Sequence, residues 1–157
     1  MVPLFLSDSR RVFLAALLGT ALAILIHLPA AAQGAPGERF VVDIELQTTD
    51  EFNAILTRAE QLLVQGVAPQ DGGAAVTFVL HGPVIRDLLR PNYLDNKDMV
   101  DLAASLSALR VVSIKACRAW MGSNNVDEGE LQPFVETVSY GPAEVRRLVN
   151  EESYIYF

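Results

Sequence analysis

Ala74-Ala75-Val76-Thr77-Phe78-Val79-Leu80 is the segment that narrows the fold most sharply. It is too short for an ordinary helix and carries one hydroxyl among apolar neighbours. A strand with one wet face alternates apolar and polar residues. This run does not alternate, so it predicts a strand covered on both faces, as in a parallel sheet with helices above and below.

The segments around it agree with that frame. Phe40 to Leu46 reads as a first strand. Thr48 followed by Glu51 is a capping box, and Phe52, Ile55, Leu56, Ala59, Leu62 and Leu63 then mark one face of a helix that Gly66 can end. Pro69 to Gly73 predicts a loop before the apolar strand, which stops at His81-Gly82-Pro83. Val84 to Leu89 predicts a short helix and Arg90 to Asp95 a loop. Met99, Val100, Leu102, Ala103, Leu106 and Leu109 mark a second long helix starting near Asn96.

Val111 to Cys117 is the third strand, followed by a short helical segment with Trp120 and Met121. The polar loop from Gly122 to Asn125 leads to another turn at Asp127 to Leu131. Phe134 to Tyr140 reads as a fourth strand, and Gly141-Pro142 opens a helix with proline at its first position and Val145, Leu148 and Val149 on its buried face. Tyr154 to Phe157 closes the chain as a fifth strand. Strands alternating with helices in this way predict a three-layer α/β/α sandwich around a mostly parallel five-stranded sheet.

The N-terminus predicts export. Ser9-Arg10-Arg11-Val12-Phe13-Leu14 precedes an apolar stretch to Leu28, and Pro29-Ala30-Ala31-Ala32-Gln33 supplies a small-residue cleavage site. The paired arginines resemble the bacterial twin-arginine signal, which is read by a receptor and sends folded proteins to the periplasm. The apolar stretch is short for a span of roughly 20 residues and breaks at Pro29, so no stable membrane anchor is expected after cleavage. Residues 1–32 are therefore expected to be a cleavable signal, residues 33–38 a disordered linker and residues 39–157 one domain. Removing 32 of 157 residues leaves 125, enough for one core. The full chain carries −7, and loss of Arg10, Arg11 and Asp8 leaves −8. An acidic surface of this kind argues against binding a phosphate backbone, so no nucleic-acid partner is expected.

Within that domain the chemistry-bearing residues are few. Cys117 is the only cysteine and His81 the only histidine outside the leader. Both stand at the carboxyl ends of predicted strands, where ligands gather in open α/β sheets. A lone thiol forms no internal disulfide, yet export would take it to an oxidising compartment. Alternation puts Lys115 and Cys117 on one face of the third strand. If the residues after Cys117 are helical, the sulfur lies near free N–H groups with Arg118 adjacent, and both favour the thiolate. The competing reading is a small buried hydrophobe at a strand end. His81 could accept a proton from the thiol or merely cap the strand, and the loop holding Tyr93 could wall the site or simply connect.

Other familiar devices are missing. One cysteine and one histidine without spaced carboxylates predict no metal site, and Gly72-Gly73 precedes a strand, so it forms no phosphate cradle and no cofactor is expected. There is no nucleophile-elbow serine. A Cys-His-Asp hydrolase using Asp43, Asp87 or Asp95 is formally open, without support from spacing.

Four segments, in order, resemble the DsrE family of sulfur-relay proteins: Phe78-Val79-Leu80-His81-Gly82-Pro83; Lys115-Ala116-Cys117 with Met121 four residues on; Leu131-Gln132-Pro133-Phe134-Val135; and Gly141-Pro142-Ala143-Glu144-Val145-Arg146-Arg147-Leu148. The resemblance runs from Phe40 to Phe157. It implies a parallel α/β/α fold, homo- or hetero-oligomers, and a cysteine at the position of Cys117 that carries sulfur as a persulfide between a donor and an acceptor protein. Related proteins often place asparagine shortly after that cysteine, where this chain has Ala119 and Trp120. Cys117 and His81 would then form the reactive pair, supported by Lys115, Arg118 and Tyr93. The alternative is a non-catalytic oligomeric module with the same fold, in which Cys117 is inert and the aromatic terminus serves contacts between subunits.

Overall fold

The computed structural model describes residues 37–45, 47–67 and 72–157. The expected export signal and most of the linker lie outside them. The strands are β1 (Phe40–Ile44), β2 (Val76–Leu80), β3 (Val112–Cys117), β4 (Val135–Val138) and β5 (Ile155–Tyr156). The longer helices are α1 (Thr49–Val64), α2 (Lys97–Ala108), α3 (Arg118–Ser123) and α4 (Gly141–Glu151). All five strands are parallel, in the order β4-β3-β2-β1-β5.

β2 occupies the centre and is buried at every position. That is what its unbroken apolar run requires. Phe78 pairs in register with Val42 of β1 and Ile114 of β3. Its ring meets Phe52 of α1 edge-on, with centroids 5.8 Å apart and planes at 68°.

α1 begins at the expected capping box. The Thr48 hydroxyl accepts the Glu51 N–H at 3.3 Å, and a Glu51 carboxylate oxygen accepts the Thr48 N–H at 3.2 Å. Phe52, Leu56, Ala59 and Leu62 are buried, whereas Leu63 is exposed. The buried stripe follows steps of three and four residues, and Leu63 stands one position further round the helix. α2 buries Met99, Val100, Ala103 and Leu106, while Leu109, expected on the same face, is exposed because the helix has ended.

The short helix expected at Val84 to Leu89 is a tighter 3₁₀ segment over Pro83–Leu88. Val84, Ile85 and Leu88 are buried in it. Strand ends are shorter than the apolar runs suggested. β4 spans four residues and β5 only two.

The topology decides which face holds what. The chain steps from β1 to β4 in one direction through α1, α2 and α3, then returns through α4 to lay β5 beside β1. Right-handed crossovers running in opposite directions across a parallel sheet must lie on opposite faces. Accordingly, one large core joins Phe52, Leu56, Phe78, Met99, Leu106, Ile114 and Met121. A smaller one joins Val41 and Val79 to Val145, Leu148 and Tyr154. The single helix α4 thus forms one outer layer of the sandwich.

Candidate functional site

β3 delivers Cys117 to the carboxyl edge of the sheet, on the α4 face. The residue is free of disulfide and only 1 % exposed. Its Sγ accepts the N–H of Gly141, the first residue of α4, at 3.2 Å. The helix that meets the thiol is therefore α4. The expectation that the segment directly after Cys117 would do so is corrected: Cys117 is the N-cap of α3 without a side-chain capping bond, and the Ala119 N–H goes to the Ser139 carbonyl instead. Alternation turns the Cys117 side chain toward α4 and away from the turn it begins.

Gly141 is needed for this approach. A Cβ there would stand 3.3 Å from the His81 Cβ, 3.3 Å from Val79 Cγ1 and 3.4 Å from the Cys117 Cβ. Two of those atoms belong to buried strand residues with little room to yield. Gly141→Ala is expected to cost about 1–2 kcal/mol through overpacking, read as a lower urea midpoint at unchanged slope. A neutral or stabilising result would mean that α4 does not close this tightly on the sheet.

His81 follows the last residue of β2, and its N–H continues the ladder to the Ile44 carbonyl at 2.9 Å. It stands one step past the Leu80–Ala116 pair, across from Cys117. The imidazole Nε2 lies 2.6 Å from Asp43 Oδ1 on β1. A carboxylate only accepts, so Nε2 is the donor. Of the three aspartates the sequence left open, Asp43 alone is beside the histidine. Asp87 accepts the Thr49 hydroxyl at 2.8 Å, and Asp95 lines a cleft at the start of α2.

Lys115, two residues before the thiol on the same face, is committed elsewhere: its Nζ sits 2.7 Å from Glu144 Oε1 of α4. Arg147 holds the same carboxylate through two bonds of 2.8 Å and also contacts Glu152. The Arg147 hydrogen bonds, with help from Lys115 and against the cost of burial, keep the Glu144 carboxyl down at about 2. This cluster clamps α4 onto the sheet next to the thiol.

The other two expected supports lie apart from it. Arg118 donates to the Thr137 hydroxyl at 2.9 Å and lies 3.4 Å from Glu128. Tyr93 packs against the larger core on the opposite face of the sheet, and its hydroxyl donates to Asp101 at 2.9 Å. The Tyr93 loop therefore forms no wall around Cys117. Open clefts of about 370, 450 and 500 Å³ lie by α2, by the start of α1 and at the amino ends of the strands; their linings include neither Cys117 nor His81. Among the described residues no group of three or more histidine, cysteine or acidic side chains is placed to hold a metal ion.

Gly141, Glu144 and Arg147 are the site neighbours that sequence reasoning did not assign to the thiol. Their signal was local and concerned α4 alone, a Gly-Pro start and an i,i+3 acid–base pair. Nothing in it says that this helix lies over β3.

The fold is that of a parallel α/β/α sandwich with a buried thiol at the carboxyl edge of its sheet. No family model matches the chain, and no curated protein matches it. Among solved structures it is similar to a protein of unknown function, MTH1491, from Methanobacterium thermoautotrophicum. The TM-score is 0.60 at 17% sequence identity, over 76% of this chain and 97% of that one. At that identity the likeness concerns the fold.

Proposed function

We propose that this protein is an exported sulfur carrier in which Cys117 accepts sulfane sulfur and passes it to a partner thiol. The observation that carries this reading is the Gly141 N–H on Cys117 Sγ, at the opening of an eleven-residue helix and beside the His81–Asp43 pair. A donated N–H and the positive end of a helix dipole both stabilise a thiolate more than a thiol. The thiolate attacks the outer sulfur of a persulfide or of thiosulfate. The donor S–S bond breaks with its electron pair leaving on a thiolate or sulfite, and a Cys117 persulfide remains. An acceptor thiolate then attacks the terminal sulfur and Cys117 leaves as thiolate, with no net oxidation. Because the sulfur is covered, the exchange requires a local opening of the kind native domains undergo. The resemblance to DsrE proteins adds an oligomer, a donor or acceptor protein and, with the leader, a periplasmic setting.

Burial favours a second reading, in which Cys117 is an inert core residue and the domain is an assembly module. Ile155 and Tyr156 on the edge strand β5, with Tyr140 beyond β4, expose apolar surface suited to subunit contacts. Intact mass after exposure to thiosulfate or cysteine persulfide separates the two. The carrier gains about 32 Da on native wild type and nothing on Cys117→Ser, from the mass of one sulfur retained in transfer. A thiol that reacts only after unfolding selects the module.

A further inference from the structure

We propose that α4 and β5, residues 141–157, form a latched flap that opens as one unit and uncovers Cys117 while the rest of the sheet stays folded. Its role as a gate rests on the carrier reading; its motion does not. The two elements are consecutive, and β5 stands at the sheet edge beside β1, where it is in register over Phe40–Ile155 and Val41–Tyr156. Their departure removes that short ladder and leaves the β1-β2-β3-β4 pairing whole. The apolar seal is correspondingly small. α4 buries Gly141, Val145 and Leu148, and with Tyr154 they close over Val41 and Val79, apart from the larger core that holds α1 and α2 to the other face. Contact with that larger core runs through Phe157, edge-on to Phe40 at 5.6 Å.

Charge ties the flap down at both ends. One turn into α4, Glu144 accepts the Lys115 ammonium of β3 at 2.7 Å and is braced by Arg147. Past the end of α4, Glu152 lies 3.9 Å from Arg39 beside β1, whose guanidinium also sits 4.8 Å from the centre of the Tyr154 ring. Glu144 and Lys115 are mostly buried, so their pairing is screened less than a surface pair, and loss of one partner leaves the other charge uncompensated. A region with few buried apolar residues, a two-residue edge strand and ionic ties is of the kind that opens below the free energy of global unfolding. An isolated helix the length of α4 is marginal in water, so its amides exchange once it leaves the sheet. Gly141 leaves with it, and the donor on Cys117 Sγ goes too.

The test is native-state hydrogen exchange at neutral pH over a range of urea below the unfolding midpoint, with iodoacetamide as the probe of Cys117. It compares wild type with Glu144→Gln, Lys115→Met and Phe78→Leu. In wild type the N–H groups of Gly141, Leu148 and Ile155 and the Cys117 thiol are expected to report one shared opening. Its urea dependence should be shallower than that of the Phe78 N–H on the central strand, because less surface is exposed. Glu144→Gln is expected to speed both flap exchange and Cys117 alkylation about 30-fold, the discounted equivalent of a carboxyl held at about 2. Lys115→Met should act in the same direction. Phe78→Leu should speed exchange at the centre of the sheet and leave the flap and the thiol unchanged, since the larger core is intact whether the flap is closed or open.

One steep urea dependence common to α4, β5 and β2 overturns the proposal. So does Cys117 alkylation that is unchanged in Glu144→Gln, or that rises in Phe78→Leu as much as exchange at the central strand. Wild type that opens in this way yet takes up no sulfur from thiosulfate retains the flap and ends the carrier reading.

Discussion

Phe78→Ala is expected to destabilise the domain by about 3–5 kcal/mol, the range for emptying a fully enclosed aromatic site. Phe78 is wholly buried on the central strand, with hydrogen-bonded neighbours on both sides and the Phe52 ring edge-on above it. Surroundings of that kind cannot collapse into the void, because β1 and β3 are held at ladder spacing by β2 itself. Against a typical total of about 5–15 kcal/mol, the loss takes a large part of the stability. Urea unfolding should show a much lower midpoint, and Phe78→Leu, which keeps more of the volume, should lose less than half as much. A loss under about 1 kcal/mol for the alanine would contradict the packing of α1 on β2.

The second large effect belongs to Glu144. In the folded protein its carboxyl is held at about 2, against an ordinary value of 4.5. The folded value is the lower one, so the unfolded chain binds the proton more readily. The ion cluster therefore contributes its full stabilisation above pH 4.5 and loses it progressively as pH falls toward about 2. The shift corresponds to something on the order of 2–3 kcal/mol, once the partial exposure of Arg147 is allowed for.

Glu144→Gln should therefore lower stability at neutral pH by about that amount and flatten the acid limb of the stability curve. Urea midpoints at pH 7, 4.5 and 3 read both. Equal acid sensitivity in wild type and variant would mean that Glu144 is not the group responsible. The result also bears on the thiol, since Glu144 sits one turn into the helix whose first N–H meets Cys117. Loosening that clamp should raise the rate at which reagents reach the sulfur.

Much of this architecture is legible in the order of residues. The unbroken run through Phe78 announces a central strand, Thr48 and Glu51 announce the start of α1, and Gly141-Pro142 announces the start of α4. Alternation along β3 places Lys115 and Cys117 on one face. Each of these readings concerns an element's own geometry, where spacing along the chain maps directly onto space. The same local logic explains the misplacements. Arg118 is adjacent to the thiol in sequence, yet it points to Thr137 and Glu128 because successive residues at a strand end turn to different sides. Tyr93 shares an edge with His81, yet its loop packs in the other layer.

By itself, then, the sequence determined the elements, their parallel α/β arrangement and the identity of the lone thiol at a strand end. Tertiary structure alone decided what surrounds that thiol. Gly141 is 24 residues from Cys117, Glu144 is 29 from Lys115, and Asp43 is 38 from His81. Those meetings depend on the strand order, and above all on the last crossover returning past β1. Periodicity says which face of an element is buried; it does not say which other element will lie against that face.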